Sequence, residues 1–309
     1  MKNRFIALTI FVCLWPLLSP RLQAQDAAAY VVADATSGHI LLSHRPNKKL
    51  QIASLTKIAT AMVVLDWLDL SKQDQGALAT VPPGVNLISP NNPIGLQPGD
   101  QVSVRDLLYA MLIQSDNIAA YTLADHVGRD LQRNTQSAGK PVDLFVAQMN
   151  ALARKLGMEH TKFLNPTGRD AQETPYSTAS DLVKLSAAAM QRSSFRFYVS
   201  QKERQITHRL ASGSTAQYKL ANTNELLGVN AIDGVKTGTS ERAGECVVIS
   251  AARTPESVQN PDGSFTITPR RLIVVVLGSR SRFNDASGLL SEGWNLYDQW
   301  AAQGRPLEK

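Results

Sequence analysis

The fold follows from one stretch near the start of the chain, Ala53-Ser-Leu-Thr-Lys-Ile-Ala-Thr-Ala-Met62. Its apolar residues recur at helical spacing and continue through Val63 and Leu65, which predicts that Ser54 opens a helix with one buried face. Lys57 lies one turn after Ser54 on the same face. A serine is an ordinary N-cap residue, but a cap gives no reason for a lysine at that position.

Strands are predicted at both ends of the chain, with helices between them. Residues 28–43 have the pattern of a hairpin, and apolar runs at 232–236, 246–252 and 272–277 predict three more strands. Helical periodicity predicts helices at residues 104–114, 118–127, 144–156, 178–190 and 289–300. This order implies an α/β (α+β) fold in which one antiparallel sheet, built from both chain ends, carries an inserted helical lobe.

Three segments lack a regular pattern. Residues 80–99 are rich in Pro, Gly and Asn, which predicts a long irregular segment of the kind that is usually functional or mobile. Residues 134–141 and 255–269 are polar, and we interpret both as surface loops.

Residues 1–24 have the three parts of an export signal: a basic start, an apolar run and a polar end. The apolar run is shorter than a membrane-spanning helix, which needs about 20 residues. We expect cleavage after Ala24 and a single domain with two lobes over residues 25–309. Loss of three basic residues with the signal lowers the formal net charge of +6 to +3. A net charge this small gives no indication of nucleic-acid binding.

The composition also argues against a disulfide and against a metal site. Cys13 lies inside the export signal, so only Cys246 remains after cleavage and no intramolecular disulfide can form. Cys246 lies in an apolar, strand-like run and is interpreted as a buried small hydrophobic residue. The five histidines show no ligand spacing, so we expect neither a metal nor another cofactor.

Two further polar strings complete a pattern with Ser54. Ser115-Asp-Asn117 falls between two predicted helices, and Lys236-Thr-Gly238 lies at the end of a predicted strand. A serine hydroxyl is a weak nucleophile that needs a neighbouring base, and Lys57 has the right spacing to be that base. Its pKa would have to fall by about three units from 10.4 to leave the amine neutral near pH 7. Burial and the nearby Lys236 charge would both lower the pKa of Lys57.

The middle string offers two supporting groups. We expect Ser115 to pass a proton between Lys57 and a leaving amine. Asn117 is expected to bind the backbone of a substrate and to steady Lys57. Together with Ser54, these residues indicate acyl transfer through an activated serine.

The last string supplies a strand edge that can pair with an extended substrate. Gly238 lets the substrate backbone approach closely, and the hydroxyls of Thr237 and Thr239 can bind a substrate carboxylate that Lys236 attracts. The backbone amides of Ser54 and Thr239 would form an oxyanion hole, in which loss of one donor costs about 10²- to 10³-fold in rate.

At these residues the chain resembles the low-molecular-mass penicillin-binding proteins of the D-alanyl-D-alanine carboxypeptidase family. The resemblance covers roughly residues 28–300 and also includes blocks at 156–163, 177–181, 222–225 and 233–244. It implies a transpeptidase/β-lactamase-like fold and an acyl-enzyme on Ser54, formed from a peptide that ends in D-Ala-D-Ala. The implied partners are peptidoglycan stem peptides, with β-lactams as covalent inhibitors, and the implied location is the periplasm.

The chain departs from many family members near its end. They carry a β-rich C-terminal domain and a basic amphipathic tail, whereas this chain ends nine residues after Trp300. The predicted helix 289–300 contains Glu292 and Asp298 but no Lys or Arg, so we expect it to pack on the sheet and not to anchor a membrane. The short format resembles the D-alanyl-D-alanine endopeptidase branch. Carboxypeptidase activity is our first prediction and cross-link cleavage the alternative.

A class A β-lactamase shares all three strings but also needs a deacylating glutamate in a Glu-x-x-x-Asn arrangement between the second and third. Residues 163–170 contain no such glutamate, and Glu173 is followed by Ser177 where the asparagine would be. The sequence therefore disfavours a β-lactamase. A sensor that only binds β-lactams would need a membrane-spanning partner segment, which the sequence does not indicate.

Four arginines lie near the predicted strands of the last third. We interpret Arg271, Arg280 and Arg282 as a solvated strand edge. Arg242, inside the block at 233–244, is expected to lie nearer the site.

Overall fold

The computed structural model describes residues 26–88, 92–170, 173 and 175–307, except the side chains of residues 86 and 88. The predicted export signal lies outside the described residues. Within the described part, no helix is both long enough and apolar enough to cross a membrane.

The described residues form strands and helices in a mixed order. The strands are β1 (Ala29–Asp34), β2 (Ile40–His44), β3 (Leu78–Thr80), β4 (Gln101–Ser103), β5 (Glu203–Arg209), β6 (Thr215–Ala221), β7 (Ile232–Ser240), β8 (Gly244–Gln259) and β9 (Phe265–Ser279). The helices are α1 (Lys57–Ser71), α2 (Val85–Ile88), α3 (Val104–Leu112), α4 (Asn117–Thr135), α5 (Pro141–Lys155), α6 (Ala179–Gln191), α7 (Ser193–Val199) and α8 (Arg282–Ala302).

The larger sheet joins both ends of the described chain, as predicted. Its strand order is β2-β1-β9-β8-β7, and every neighbouring pair is antiparallel. Val274 on one face of β9 packs with α8, whereas Val275 on the other face belongs to the core shared with the helical lobe. Strands covered on both faces are apolar throughout, which explains the unbroken apolar run at 272–277.

A second, four-stranded sheet of order β3-β4-β5-β6 was not predicted. In β5 only Ile206 and His208 are buried, so the strand lacks the apolar alternation that identifies strands in a sequence. This sheet lies next to the helical lobe, because β4 leads directly into α3 and Ser103 caps that helix by accepting from the amide of Asp106 at 3.0 Å.

The predicted loop at residues 134–141 is confirmed, but it is shorter than predicted. Helix α4 continues to Thr135 and α5 begins at Pro141, so the connection covers only residues 136–140. The last turn of α4 is polar and exposed, and the Asn134 side chain donates to Asp130 one turn earlier at 3.1 Å. Polar residues on a solvated helix surface gave the same sequence signal as a loop.

The prediction of a loop at residues 255–269 was wrong for most of its length, because only residues 260–264 form a turn. Strands β8 and β9 continue beyond the sheet as a two-stranded hairpin that turns at residues 260–264, where the amide of Asn260 donates to the carbonyl of Ser264 at 2.8 Å. The hairpin is exposed to solvent, so its residues need not alternate between polar and apolar. Helix α8 also begins at Arg282, seven positions before the predicted helix at residue 289.

Candidate active site

Ser54 lies in a short 3₁₀ turn, Ala53–Thr56, directly before α1. The prediction that Ser54 opens the α-helix was therefore wrong by about one turn, because α1 begins later, at Lys57. No side chain caps either the 3₁₀ turn or α1, so capping does not explain the serine. Its half-buried hydroxyl instead accepts a hydrogen bond from Lys57 Nζ at 2.8 Å.

Lys57 is completely buried and its amine has three oxygen neighbours. Nζ lies 2.8 Å from Ser54 Oγ, 2.7 Å from Asn117 Oδ1 and 2.9 Å from the carbonyl oxygen of Thr167. Burial lowers the pKa of Lys57 to about 7, against the opposing effect of the Asp116 carboxylate. Near neutral pH a large fraction of the amine is therefore unprotonated. In that form its lone pair can accept the Ser54 proton across the same 2.8 Å contact.

Lys236 is a second buried cation beside the first. Its Nζ donates to the carbonyl of Thr237 at 3.1 Å. Burial lowers the pKa of Lys236 well below its usual value, and the positive charges of Lys57 and Arg282 lower it further. The charge of Lys57 thus disfavours protonation of Lys236 in the same buried region.

Gly238 allows β7 to lie directly against the turn that carries Ser54. A side-chain carbon at this position would lie 2.9 Å from the carbonyl oxygen of Ile52 and 3.1 Å from the amide nitrogen of Ser54. These distances leave no room for a larger residue without a backbone shift. The close approach brings the backbone of Ser54 and the end of β7 together, where an oxyanion hole was predicted.

Thr237 is anchored from the side of the second sheet. Its hydroxyl lies 2.7 Å from that of Thr223, which follows β6, and the amide of Thr223 donates to the carbonyl of Ile113 at 3.1 Å. Thr239 has a different neighbour, because its hydroxyl accepts from Arg282 at 2.6 Å.

The connection between α3 and α4 carries the middle string. Ser115 is half-buried and has a left-handed backbone conformation with φ of 64°. Asp116 is buried and caps α4, since its Oδ1 accepts from the amide of Ala119 at 2.7 Å. This cap orients the first turn of α4 so that Asn117 reaches Lys57. Among the described residues, the oxygen neighbours of Lys57 Nζ do not include Ser115.

A segment at residues 165–170 completes the wall around Lys57, and sequence reasoning assigned it no role. Asn165 Oδ1 accepts from the amides of Thr167 and Gly168 at 3.1 and 2.8 Å, which fixes a tight turn. Gly168 has φ of 78°, and a side-chain carbon there would lie 1.8 Å from the carbonyl oxygen of Ala53. The Asn-Pro-Thr-Gly sequence is a turn signal that could have identified this segment.

The same region shows no deacylating glutamate among its described residues. Glu173 is exposed and pairs with Lys162 at 3.1 Å. The group that contacts Lys57 from this side is the uncharged carbonyl of Thr167. The region therefore differs from the Glu-x-x-x-Asn arrangement of a class A β-lactamase.

Arg282 is a site residue that sequence reasoning missed. Its guanidinium donates to the carbonyl of Gly238 at 3.1 Å and to the Thr239 hydroxyl at 2.6 Å. The interpretation of Arg282 as part of a solvated strand edge was wrong, because Arg282 is the first residue of α8 and its side chain extends toward β7. Because the helix was predicted to begin only at residue 289, no pattern in the sequence identified Arg282 as part of its first turn.

The other three arginines lie elsewhere. Arg280 is exposed, as expected for a solvated edge. Arg271 is partly buried and pairs with Asp233 at 2.8 Å, so for this residue the solvated-edge interpretation was also wrong. Arg242 is exposed in the turn after β7.

Cys246 is buried and free, as predicted. Burial raises the pKa of its thiol to about 11, so the group stays protonated and unreactive near neutral pH.

Comparisons with known proteins show which proteins this chain is similar to. A family model described as D-alanyl-D-alanine carboxypeptidase matches residues 18–260. The chain is 34% identical over 286 residues to D-alanyl-D-alanine carboxypeptidase DacC of Escherichia coli, with 88% of this chain and 62% of that protein covered. It is 30% identical over 305 residues to a D-alanyl-D-alanine endopeptidase of Pseudomonas aeruginosa, with 94% and 88% covered.

Solved structures show the same fold. The Streptomyces K15 DD-transpeptidase superposes with a TM-score of 0.72 at 29% identity, with 87% of this chain and 97% of that chain covered. Penicillin-binding protein D2 of Listeria monocytogenes, in its cefotaxime-bound form, gives a TM-score of 0.65 at 28% identity, with 88% and 98% covered. The predicted transpeptidase-like fold is confirmed. With its three strings gathered around one buried lysine, the chain belongs to the D-alanyl-D-alanine carboxypeptidase family.

Proposed function

We propose that the protein is an exported serine DD-peptidase that removes the terminal D-Ala from peptidoglycan stem peptides through an acyl-enzyme on Ser54. The observation that carries this proposal is the 2.8 Å contact between Ser54 Oγ and Lys57 Nζ, with the pKa of Lys57 lowered to about 7. A nucleophile in contact with a neutral base is what acyl transfer by serine requires.

Acylation begins when neutral Lys57 takes the proton of Ser54. The freed oxygen attacks the carbonyl of the penultimate D-Ala, and the oxyanion receives hydrogen bonds from the amides of Ser54 and Thr239. Collapse of the tetrahedral species breaks the bond to the terminal D-Ala. Its nitrogen leaves as an amine after it receives the proton from Lys57, and we assign Ser115 to relay that proton.

The terminal carboxylate of the peptide is expected at the end of β7. Arg282 lies there with the hydroxyl of Thr239, and Lys236 and Thr237 are next to them. Strand β7 is the last strand of its sheet, so its outer edge is free to pair with an extended peptide.

Deacylation repeats the same proton transfers with water in place of the serine. Lys57 takes a proton from water, the hydroxide attacks the ester carbonyl, and the proton returns to Ser54. The Thr167 carbonyl stands beside Lys57 and supplies no second base. We therefore expect a β-lactam to acylate Ser54 and to remain bound, which agrees with a neighbour solved in a cefotaxime-bound form.

The test uses mature protein and a soluble pentapeptide that ends in D-Ala-D-Ala, with free D-Ala as the readout. The wild type should release D-Ala and Ser54→Ala should not. Release at an equal rate by Ser54→Ala would overturn the mechanism. Steady turnover of penicillin by the wild type would favour a β-lactamase instead.

Cross-link cleavage is the second candidate. Its support is the similarity to the D-alanyl-D-alanine endopeptidase of Pseudomonas aeruginosa, at 30% identity over 305 residues. Incubation with a cross-linked muropeptide dimer separates the two activities. Cleavage of the dimer without cleavage of the pentapeptide would make the protein an endopeptidase.

Export and domain organisation belong to the same proposal. Residues 1–24 have the pattern of a signal peptide, which supports delivery to the periplasm. We assign residues 25–309 to a single catalytic domain. Helix α8 supports the view that this part of the chain packs on the sheet, because Leu289, Leu290 and Trp294 are buried against it.

A further inference from the structure

The first turn of α8 carries Arg282, the residue assigned to the terminal carboxylate of the substrate. Ser281 occupies the N-cap position, but its side chain caps no amide of the helix. The amide of Arg282 donates instead to Oε2 of Glu245, the second residue of β8, at 3.2 Å. The first amides of an α-helix have no partner within the helix, so an acceptor from another element fixes where the helix begins.

Glu245 also lies beside the hydroxyl group that Arg282 contacts. In the register of the larger sheet, Glu245 is opposite Thr239 on β7 and opposite Ser279 on β9. Directly opposed residues of antiparallel strands have their side chains on the same face, with Cβ atoms about 4.5–5.5 Å apart. Thr239, Glu245 and Ser279 thus form one row across three strands, which we call the strand-end row.

Every member of the strand-end row contacts the first turn of α8. The Thr239 hydroxyl accepts from the Arg282 guanidinium at 2.6 Å, and Glu245 accepts from the amide of the same arginine. The Ser279 hydroxyl donates to Asp285 Oδ2 at 2.6 Å. The main chain and the side chain of Arg282 are therefore held by two neighbouring residues of one row. A shift of the main chain would move the guanidinium away from Thr239.

The guanidinium of Arg282 offers a hydrogen-bond donor that no described residue uses. Its Nη1 donates to the carbonyl of Gly238 and to the Thr239 hydroxyl, whereas its Nε is buried without a hydrogen-bond partner among the residues that the structure describes. A buried donor without a partner is costly, and a carboxylate would satisfy it. Because a free arginine side chain has many rotamers, a fixed main chain lowers the entropy that binding must remove.

We propose that Glu245 is a positioning residue for the terminal carboxylate of the substrate. By accepting from the amide of Arg282, it fixes the start of α8 and holds the guanidinium at the end of β7. Glu245 does not touch the substrate and acts through Arg282. The inference rests on the proposed function, because it takes the carboxylate site from the placement of the peptide there.

The test compares kcat/KM for a peptide that ends in D-Ala-D-Ala with a free carboxylate and for the same peptide with a C-terminal amide. The ratio of acid to amide is measured for the wild type, Glu245→Ala and Glu245→Gln. Alanine removes the acceptor, whereas glutamine keeps an oxygen that can accept from the same amide. Glu241→Ala is the matched control, because Glu241 is exposed in the turn between β7 and β8. Thermal unfolding reports whether each variant is folded.

We expect Glu245→Ala to lower the preference for the acid by about tenfold, because a misplaced guanidinium loses one charge-assisted hydrogen bond. Glu245→Gln and Glu241→Ala should keep the preference of the wild type within about threefold. An unchanged ratio in Glu245→Ala, or the same loss in both Glu245 variants, would overturn the assignment. A lower rate on acid and amide by the same factor would also overturn it, since it would indicate a purely structural role.

A double variant tests whether Glu245 acts through Arg282. Arg282→Leu removes the guanidinium, so adding Glu245→Ala to it should cause no further loss of the acid preference. Two residues that act on the ligand independently would show additive losses. A further loss in the double variant, as large as that of Glu245→Ala alone, would therefore overturn the positioning role.

Binding of the two peptides to Ser54→Ala, measured by calorimetry, separates this inference from the proposed function. Suppose that the wild type cleaves neither peptide, while Ser54→Ala binds the acid more tightly and loses that preference when Glu245→Ala is added. The proposed reaction is then wrong and the role of Glu245 stands. If the acid is cleaved and its preference survives in Glu245→Ala, the reaction stands and the role of Glu245 is wrong.

Discussion

At the scale of single residues, the proposed chemistry depends on the environment of Lys57. Complete burial lowers its pKa to about 7, and only the Asp116 carboxylate is identified as opposing that shift. A change from 10.5 to about 7 corresponds to roughly 5 kcal/mol of differential interaction between the two protonation states. Because the folded pKa lies below the unfolded one, the unfolded chain binds more protons between these two values. Stability from this group therefore rises with pH across that range.

Asp116→Asn tests the charge beside Lys57. Asparagine can still cap α4, so the main change is loss of the negative charge that raises the pKa of Lys57. The pKa of Lys57 should therefore fall. In a plot of acylation rate against pH, the acidic limb should move to lower pH by roughly half a unit or more. The measurement is the rate of acylation by labelled penicillin as a function of pH. A limb that stays in place or moves upward would contradict this assignment.

Gly238→Ala tests the close contact between β7 and the Ser54 turn. The added carbon would meet Ile52 O at 2.9 Å and Ser54 N at 3.1 Å, so the turn must shift. We expect acylation to fall by about 10²-fold or more, as for loss of an oxyanion donor. Thermal unfolding should also show a loss of about 1–3 kcal/mol.

Gly38→Ala is the matched control for Gly238→Ala. Gly38 has φ of 76° and no atom within 4 Å of an added carbon, so the substitution strains the backbone far from the site. It should lower stability and leave acylation unchanged. Equal losses of acylation in both variants would show that the effect of Gly238→Ala is global.

At the scale of elements, the arrangement of β7 and the start of α8 defines one end of the proposed substrate cleft. Arg282 begins α8 and reaches back to Gly238 and Thr239, 44 and 43 positions earlier in the chain. A sequence shows neither this contact nor the exact start of a helix. The Ser-x-x-Lys spacing, by contrast, brings Ser54 and Lys57 together within one turn, so the sequence alone was enough to pair them.

Arg282→Leu tests the assignment of the terminal carboxylate. We compare kcat/KM for a peptide with a free C-terminal carboxylate and for the same peptide with a C-terminal amide. The variant should lose about 10- to 100-fold on the acid and much less on the amide, because only the acid forms a charge-assisted contact. Arg280→Leu, two positions earlier and exposed, should behave as the wild type. An equal loss on both peptides would contradict a carboxylate-binding role.

The other strands could be predicted only where burial requires a recognisable pattern of apolar residues in the sequence. The five-stranded sheet was predicted because its central strands are apolar on both faces. The second sheet was missed because β5 and β6 are mostly exposed, and the hairpin at 255–269 was missed for the same reason. The segment 165–170 acts on Lys57 through a backbone carbonyl, which no side-chain motif reveals.

At the scale of the whole molecule, the proposed catalytic centre lies where the sheet and the helical lobe meet. The Ser54 turn lies against β7, α4 contributes Asn117, and the loop after α5 contributes Thr167. Each string comes from a different part of the chain, so the site forms only when both lobes are folded. The difference between a wall peptidase and a class A β-lactamase also belongs to this scale. It depends on which segment of the chain lies beside Lys57, and here that segment is 165–170.

The central claim is that Ser54 carries the acyl group. The most direct test is the intact mass of the wild type and of Ser54→Ala after incubation with benzylpenicillin, followed over time. The account predicts one persistent adduct of one penicillin mass on the wild type and none on Ser54→Ala. An adduct on Ser54→Ala, or no adduct on the wild type, would contradict it.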